Sequence, residues 1–316
     1  MNQPATISPT LEDTRGLTTL RDLIRWAASR FDEYELFLGH GTTSYLDEAA
    51  WLVLETLRMP VDLHDSWWSA NLTPTEIEQV IALIRERCLT RKPTAYLLNQ
   101  AWFAGRPYYV DERVLIPRSP FAELINQRFE PWLDPEQIHR ALDLGTGSGC
   151  MAIALAHAFP NAEIVGSDLY TDALAVAAIN VERHQVGEQV QLIQSDLFDN
   201  LQGEVFDLII SNPPYVAPEE AEDMPTEFKH EPPHALYAPK RGLALVDQIL
   251  RDAPNHLSDN GWLFVEVGNS RHWMNEVFGD DNPFQWVTLS QGGDGIFAVP
   301  AYELRAWNAR RAPAQG

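Results

Sequence analysis

Apolar residues recur at helical spacing along the first ninety positions. Leu20, Leu23, Ile24, Ala27 and Phe31 predict an amphipathic helix over 17–31. Leu46, Ala49, Ala50, Leu52, Val53 and Leu57 predict a second over 44–57. A third starts at Thr73 or Thr75, where Thr-x-x-Glu spacing offers an N-cap, and runs through Val80, Ile81, Ile84 and Cys88. Arg91-Lys92-Pro93 ends it. Trp67 and Trp68 read as packing residues, and 1–16 as a frayed end. Residues 1–96 thus predict a small all-helical domain with no chemical motif of its own.

The pattern then changes twice. Aromatic and β-branched residues flank Gly105-Arg106-Pro107, which predicts a β-hairpin linker over 97–118. Ser119, with Pro120 at the first helical position, predicts a helix through Leu124 and Phe129. From His139 onward apolar strands alternate with helical patterns. Strands are predicted at 139–144, 162–167, 190–194, 206–211, 261–267, 286–289 and 295–300, and helices at 150–159, 171–183 and 243–253. Such alternation predicts an α/β fold over 119–316, a Rossmann-like, doubly wound, mostly parallel sheet.

Composition narrows the function. The 316 residues are 45% hydrophobic and 22% charged, as in soluble globular proteins. No apolar run reaches the ~18 residues of a membrane span, and the polar start is not a signal peptide. Two cysteines, Cys88 and Cys150, suit a reducing cytoplasm. The histidines are scattered, so no metal is expected. The net charge of −22 argues against DNA, because phosphate contacts need a basic face. It favours a basic partner, although charge also serves solubility.

The chemistry gathers at predicted strand ends, where open α/β sheets bind ligands. Asp143-Leu144-Gly145-Thr146-Gly147-Ser148-Gly149 follows a strand and opens a helix. Its G-x-G-x-G spacing is neither that of dinucleotide enzymes nor a phosphate loop. Glycines let the backbone approach a ligand, and the helix start offers N–H groups. Asp143 is placed to face a cationic amine. Asp168 ends the second strand, where an acid accepts both ribose hydroxyls. Asp196, followed by Leu197, ends the third, where a carboxylate accepts the adenine amine. Each aspartate alone is a common turn or cap residue. Together they outline S-adenosylmethionine.

The fourth strand ends in Ser211-Asn212-Pro213-Pro214-Tyr215. Two prolines stop the ladder and fix two φ angles, leaving a stiff platform with one carboxamide and one ring. A rigid turn with an Asx contact is the plain alternative for Asn212.

These residues resemble the class I S-adenosylmethionine-dependent methyltransferases. Asn-Pro-Pro-Tyr is shared by enzymes that methylate adenine in DNA and by those that methylate the side-chain amide of glutamine in proteins. Leu115-Ile116-Pro117-Arg118, His230-Glu231-Pro232 and Glu266-Val267-Gly268-Asn269 resemble the protein (glutamine-N5) methyltransferases. Pro117-Arg118-Ser119-Pro120, Ser270 and the tail at 292–297 resemble its PrmB type, which acts on ribosomal protein L-three. The release-factor (HemK) type usually has Thr-Glu where Ser119-Pro120 stands. That type also has an aromatic after the adenine-binding aspartate, where Leu197-Phe198 stands here, so Phe198 is the candidate for ring stacking.

The resemblance implies a cytoplasmic enzyme using S-adenosylmethionine and no metal, with 1–96 recognising a basic ribosomal protein. The implied cofactor residues are Asp143, Gly145, Thr146, Gly147, Gly149, Asp168, Asp196, Leu197 and Asn212. The substrate amide falls to Asn212, Pro213, Pro214 and Tyr215, with Arg118 a candidate for a substrate carbonyl or a salt bridge. Glu123 and Glu231 are candidates to position the platform. Glu219, Glu220, Glu222, Asp223, Glu227 and Glu231 form an acidic run beside the platform, placed to attract a basic substrate. A release-factor enzyme, a DNA adenine methyltransferase and a silent cofactor-binding scaffold remain the alternatives.

Overall fold

The computed structural model describes residues 9–10, 12–60, 62–290 and 293–311; the expectations for 1–8 and for Gly292 lie outside these. The described chain divides into two compact units. One runs to Ala101 and includes Pro225–His230; the other holds Trp102–Met224 and the chain from Glu231.

The first unit is helical. Helix α1 spans Leu20–Glu33, α2 Tyr45–Thr56, α3 Pro74–Thr90 and α4 Thr94–Leu98. Thr19 and Asp22 form a reciprocal capping box on α1, and Thr73 and Glu76 one on α3. Arg91 takes the left-handed conformation that closes α3. Leu23, Ala27, Phe31, Leu52, Val53, Val80 and Ile84 form its core. Trp68 packs against that core, whereas Trp67 is 54% exposed and is not a packing residue.

The second unit opens within the hairpin β1 (Ala101–Phe103) and β2 (Arg106–Tyr108), from Trp102 onward. Expected as a linker, the hairpin instead sends Phe103 and Tyr108 into this unit's core. Helix α5 (Phe121–Asn126) follows. Pro120, not Ser119, holds its N-cap position, although the Ser119 hydroxyl accepts from the Phe121 N–H. Then come β3 (Arg140–Leu144), α6 (Cys150–Ala158), β4 (Glu163–Asp168), α7 (Thr171–Arg183), β5 (Val190–Gln194) and β6 (Phe206–Ser211). The chain continues through α8 (Pro233–Leu236), α9 (Ala244–Asp252), β7 (Leu257–Glu266), α10 (Met274–Phe278), β8 (Gln285–Trp286), β9 (Ile296–Pro300) and α11 (Ala301–Arg311).

Among the described residues β3–β9 form one sheet in the order β5-β4-β3-β6-β7-β9-β8. Pairs from β5 to β7 are parallel, and β9 is antiparallel to β7 and β8. Residues from α5, α6 and α7 pack on one face with Ala141, Ile164 and Leu208. Residues from α9, α10 and α11 pack on the other with Leu142, Val165 and Ile209. Burial of both faces is why these strands read as continuous apolar runs. Strand order reverses between β3 and β6, which puts the ligand crevice at their carboxyl ends.

Candidate active site

Leu144 and Ser211 are partners in register, so the glycine turn and the Asn212 platform leave the sheet at one level. The Ser211 hydroxyl donates to the Leu144 carbonyl at 2.7 Å and ties the two exits together. Gly145 and Gly147 have φ of +81° and +54°, a backbone that side chains strain to adopt. The N–H groups of Gly145 and Thr146 both donate to the Ser167 carbonyl at 2.8 Å. The Gly147 N–H donates to Asp168 at 2.9 Å. Two successive strand ends are thereby stitched into one wall.

A cavity of about 490 Å³ lies against this wall. Gly145, Thr146, Gly147, Asp168, Asp196, Leu197, Asn212, Pro213, Pro214 and Arg118 all line it. A second recess of about 580 Å³, around Gly268–Trp273 and Trp286, is lined by none of these. Its Arg271 and Asp294 are paired with each other.

Four expected site residues are elsewhere. Asp143 is fully buried and off the cavity wall. Side chains alternate along β3, so Asp143 shares a face with Ala141, under α6. One of its oxygens accepts from the Thr146 hydroxyl (2.6 Å) and the Ala152 N–H (3.0 Å). It braces the turn rather than facing an amine. Gly149 is also off the wall; a Cβ there would lie 3.1 Å from that of Ala177, so close packing on α7 fixes the residue type. Phe198 turns into the core and stacks on His256 at 4.6 Å, leaving Leu197 on the cavity. Tyr215 is not on the wall either; its hydroxyl donates to Glu266 at 3.0 Å.

Arg118 does line the cavity, but its guanidinium grips Glu231 in a bidentate pair at 2.6 and 2.9 Å. Glu231 also accepts from the Ile116 N–H at 2.9 Å. The pair therefore shapes the wall at 116–118, within the second unit. Glu123 accepts from the Ser290 N–H at 2.7 Å and does not line the cavity. In the acidic run, Glu227 and Glu231 are buried, while Glu219, Glu220, Glu222 and Asp223 are exposed.

Several residues were given no role at the site from the sequence. Glu266 is buried and accepts from both Tyr215 and the Ser119 hydroxyl (2.5 Å). It ends a strand, just as the three aspartates do, and that position was its signal. Asn180, buried in α7, donates to the Ser148 and Tyr109 carbonyls and anchors the turn. A carboxamide inside a helix was the clue there. Tyr170 and His234 line the cavity with ring centroids 3.7 Å apart.

Burial sets the electrostatics. It pushes Asp143 up to about 7, and it raises Asp168 as well. From about pH 4 to 7 the unfolded chain has lost the Asp143 proton while the folded chain keeps it. The folded state then binds more protons, so this group makes stability fall as pH rises through that window. Asp143→Asn should remove that part of the slope in denaturant unfolding followed from pH 4 to 8. An unaltered slope refutes this reading of the carboxyl.

Among the described residues no cluster of histidine, cysteine or acidic groups could hold a metal ion, and no helix is long and apolar enough to cross a membrane.

A methyltransferase small domain model matches residues 129–238, which carry the glycine turn and the platform. A ribosomal protein uL3 glutamine methyltransferase from Francisella tularensis subsp. tularensis is 44% identical over 290 residues, covering 92% of each chain. The one from Xanthomonas campestris pv. campestris is 47% identical over 294 residues, covering 93% of this chain and 95% of its own. Identity at this level, along almost the whole of both chains, makes this chain a member of the ribosomal protein uL3 glutamine methyltransferase family.

Proposed function

We propose that the chain transfers the methyl group of S-adenosylmethionine to the side-chain amide nitrogen of a glutamine in ribosomal protein uL3. The observation that carries this reading is the shared cavity: Asn212, Pro213 and Pro214 line the same space as Gly145–Gly147 backbone, Asp168 and Asp196.

The donor set fits the cofactor. Asp168 already accepts from the Gly147 and Tyr170 N–H groups, and each of its oxygens keeps a lone pair for a ribose hydroxyl. Asp196 is exposed at the next strand end and takes the adenine amine; Leu197 lies against the ring. The backbone of Gly145, Thr146 and Gly147 holds the amino-acid end. When bound, S-adenosylmethionine supplies a methyl group activated by its sulfonium charge.

An amide nitrogen is a poor nucleophile because its lone pair is delocalised. The work left to the chain is orientation. The Asn212 side-chain oxygen and the Pro213 carbonyl accept the two N–H bonds of the glutamine amide. They localise the lone pair and stabilise positive charge as it grows on nitrogen. Pro213 and Pro214 lack N–H groups, so the platform has no ladder bond that would compete for its geometry. The N-protonated amide is strongly acidic and gives its proton to water, so the chain need not provide a strong base.

Labelled S-adenosylmethionine offered to uL3, release factors and DNA tests the assignment. Label on a uL3 glutamine, found by mass spectrometry as one added methyl, is the expected result; label on a release factor or on adenine overturns it.

Exposed Glu219, Glu220, Glu222 and Asp223 follow the platform in a chain of net charge −22. We propose that they steer a basic substrate, with 1–96 contributing recognition. Salt screens such steering, with a Debye length of about 10 Å at 0.1 M. KM for uL3 should rise several-fold between about 0.05 and 0.3 M salt while kcat holds, and the rise should flatten when the four acids are neutralised. A salt-independent KM eliminates steering.

A further inference from the structure

We infer that Glu266 is a positioning residue for methyl transfer: it holds the Asn212–Pro213 platform to the Arg118–Ser119 wall through Tyr215 and Ser119. The inference rests on the amide-clamp reading above. It concerns a residue that does not line the cavity.

Glu266 closes β7, next to β6, whose end carries the platform. It is 4% exposed. One carboxylate oxygen accepts from the Tyr215 hydroxyl at 3.0 Å, and the other from the Ser119 hydroxyl at 2.5 Å. These hydroxyls belong to segments 96 positions apart in the chain, both at the cavity lining: Ser119 itself lines it, and Tyr215 follows Pro214, which does. Burial raises the Glu266 carboxyl, while the two hydroxyls and nearby Arg118 pull it back toward the charged form. A buried carboxylate bonded at both oxygens is stiff, because each bond is stronger away from water.

Tyr215 is fixed at its other atoms as well. Its ring lies against Gly268, where an added Cβ would come within 2.6 Å of it. The Ser270 hydroxyl lies 2.8 Å from its carbonyl. Gly242 faces the same carbonyl, where an added Cβ would stand 1.8 Å away. Two prolines precede Tyr215 and transmit its placement with little slack. A shift at the phenol therefore appears at Asn212 and Pro213. Misplacement there by less than 1 Å weakens transition-state contacts more than ground-state ones.

The test measures kcat, KM for uL3 and S-adenosylhomocysteine affinity in Glu266→Gln, Glu266→Leu and Tyr215→Phe, and in the last two combined. Gln keeps an acceptor and a polar partner for both hydroxyls; Leu keeps neither. By the strength of charge-assisted bonds, kcat should fall about tenfold in Glu266→Gln and Tyr215→Phe and about a hundredfold in Glu266→Leu. KM and calorimetric affinity should stay within about threefold, since uniform binding is untouched. Adding Tyr215→Phe to Glu266→Leu should cost nothing further.

Unchanged kcat in Glu266→Leu overturns the inference. So does a loss of cofactor affinity parallel to the loss of kcat, or multiplied losses in the combined variant. Should Glu266→Leu not fold, Glu266→Gln and Tyr215→Phe decide alone, and normal kcat in both overturns it. Wild-type turnover separates this failure from that of the functional reading. A wild type that labels a release factor or DNA instead of uL3 overturns the substrate, and the variants are then scored on that acceptor. A wild type that labels none overturns both.

Discussion

Asn212→Ala should abolish all but about 0.1–1% of turnover while binding of S-adenosylhomocysteine is weakened but measurable, because removing one preorganised transition-state partner costs about 10²–10³ in kcat. Asn212 begins where β6 ends, on the cavity wall with Pro213 and Pro214. An alanine keeps the backbone acceptor of Pro213 and loses the carboxamide oxygen. One N–H of the substrate amide then has no partner, and its lone pair is no longer held in one direction. The competing account makes Asn212 a turn residue that steadies the strand end. On that account the variant loses stability and keeps kcat. Single-turnover rates at saturating cofactor, set beside thermal unfolding, separate the two, and a variant with near-normal rate sinks the amide clamp.

Sequence reading gave three elements their observed limits. Strands over 190–194 and 206–211 and the helix over 171–183 have the limits read from the apolar pattern. In β6, continuous burial leaves a continuous signal, and in α7 one buried stripe leaves a helical one. In the two-residue strand β8 the signal thins: it is only Gln285–Trp286, where 286–289 was expected. Helix α11 buries only Ala301, Leu304 and Trp307 and carries charges between them, so it passed unseen.

For the site, a pattern of strand ends fixes the level at which a residue leaves the sheet. It does not fix which way its side chain turns. Asp168, Asp196 and Asn212 reach the cavity, whereas Asp143, placed by the same rule, lies under α6. The Asn-Pro-Pro-Tyr motif joined Tyr215 to its neighbours in chemistry. The structure joins it instead to Glu266, whose partner Ser119 is far away in the chain. Long-range pairs of this kind leave no local periodicity to read.

The acidic run shows the same limit at larger cost. Glu227→Ala should destabilise the helical unit by about 3 kcal/mol, because removing one partner of a buried ion pair strands the other. Pro225–His230 belongs to that unit although its neighbours in the sequence belong to the second. The Glu227 side chain is fully buried. One oxygen accepts from the Phe37 N–H at 2.9 Å and pairs with Arg91 at 2.9 Å and Arg87 at 3.6 Å. Phe228 packs on His40 and Phe37, and the His230 ring lies 2.9 Å from the Thr90 carbonyl. Arg87 is only 1% exposed and keeps Glu48 at 3.1 Å, which holds the loss near the low end for such pairs. Glu227→Gln keeps an acceptor for Phe37 and gives up the charge, so about half the loss is expected. Calorimetry should show the unfolding of this unit about 10–15 °C lower in Glu227→Ala. Amide exchange at the end of α3, around Arg87 and Cys88, should accelerate with it. If instead the alanine variant melts within about 2 °C of wild type, Glu227 is one more solvated acid of the run and the segment has no anchoring role.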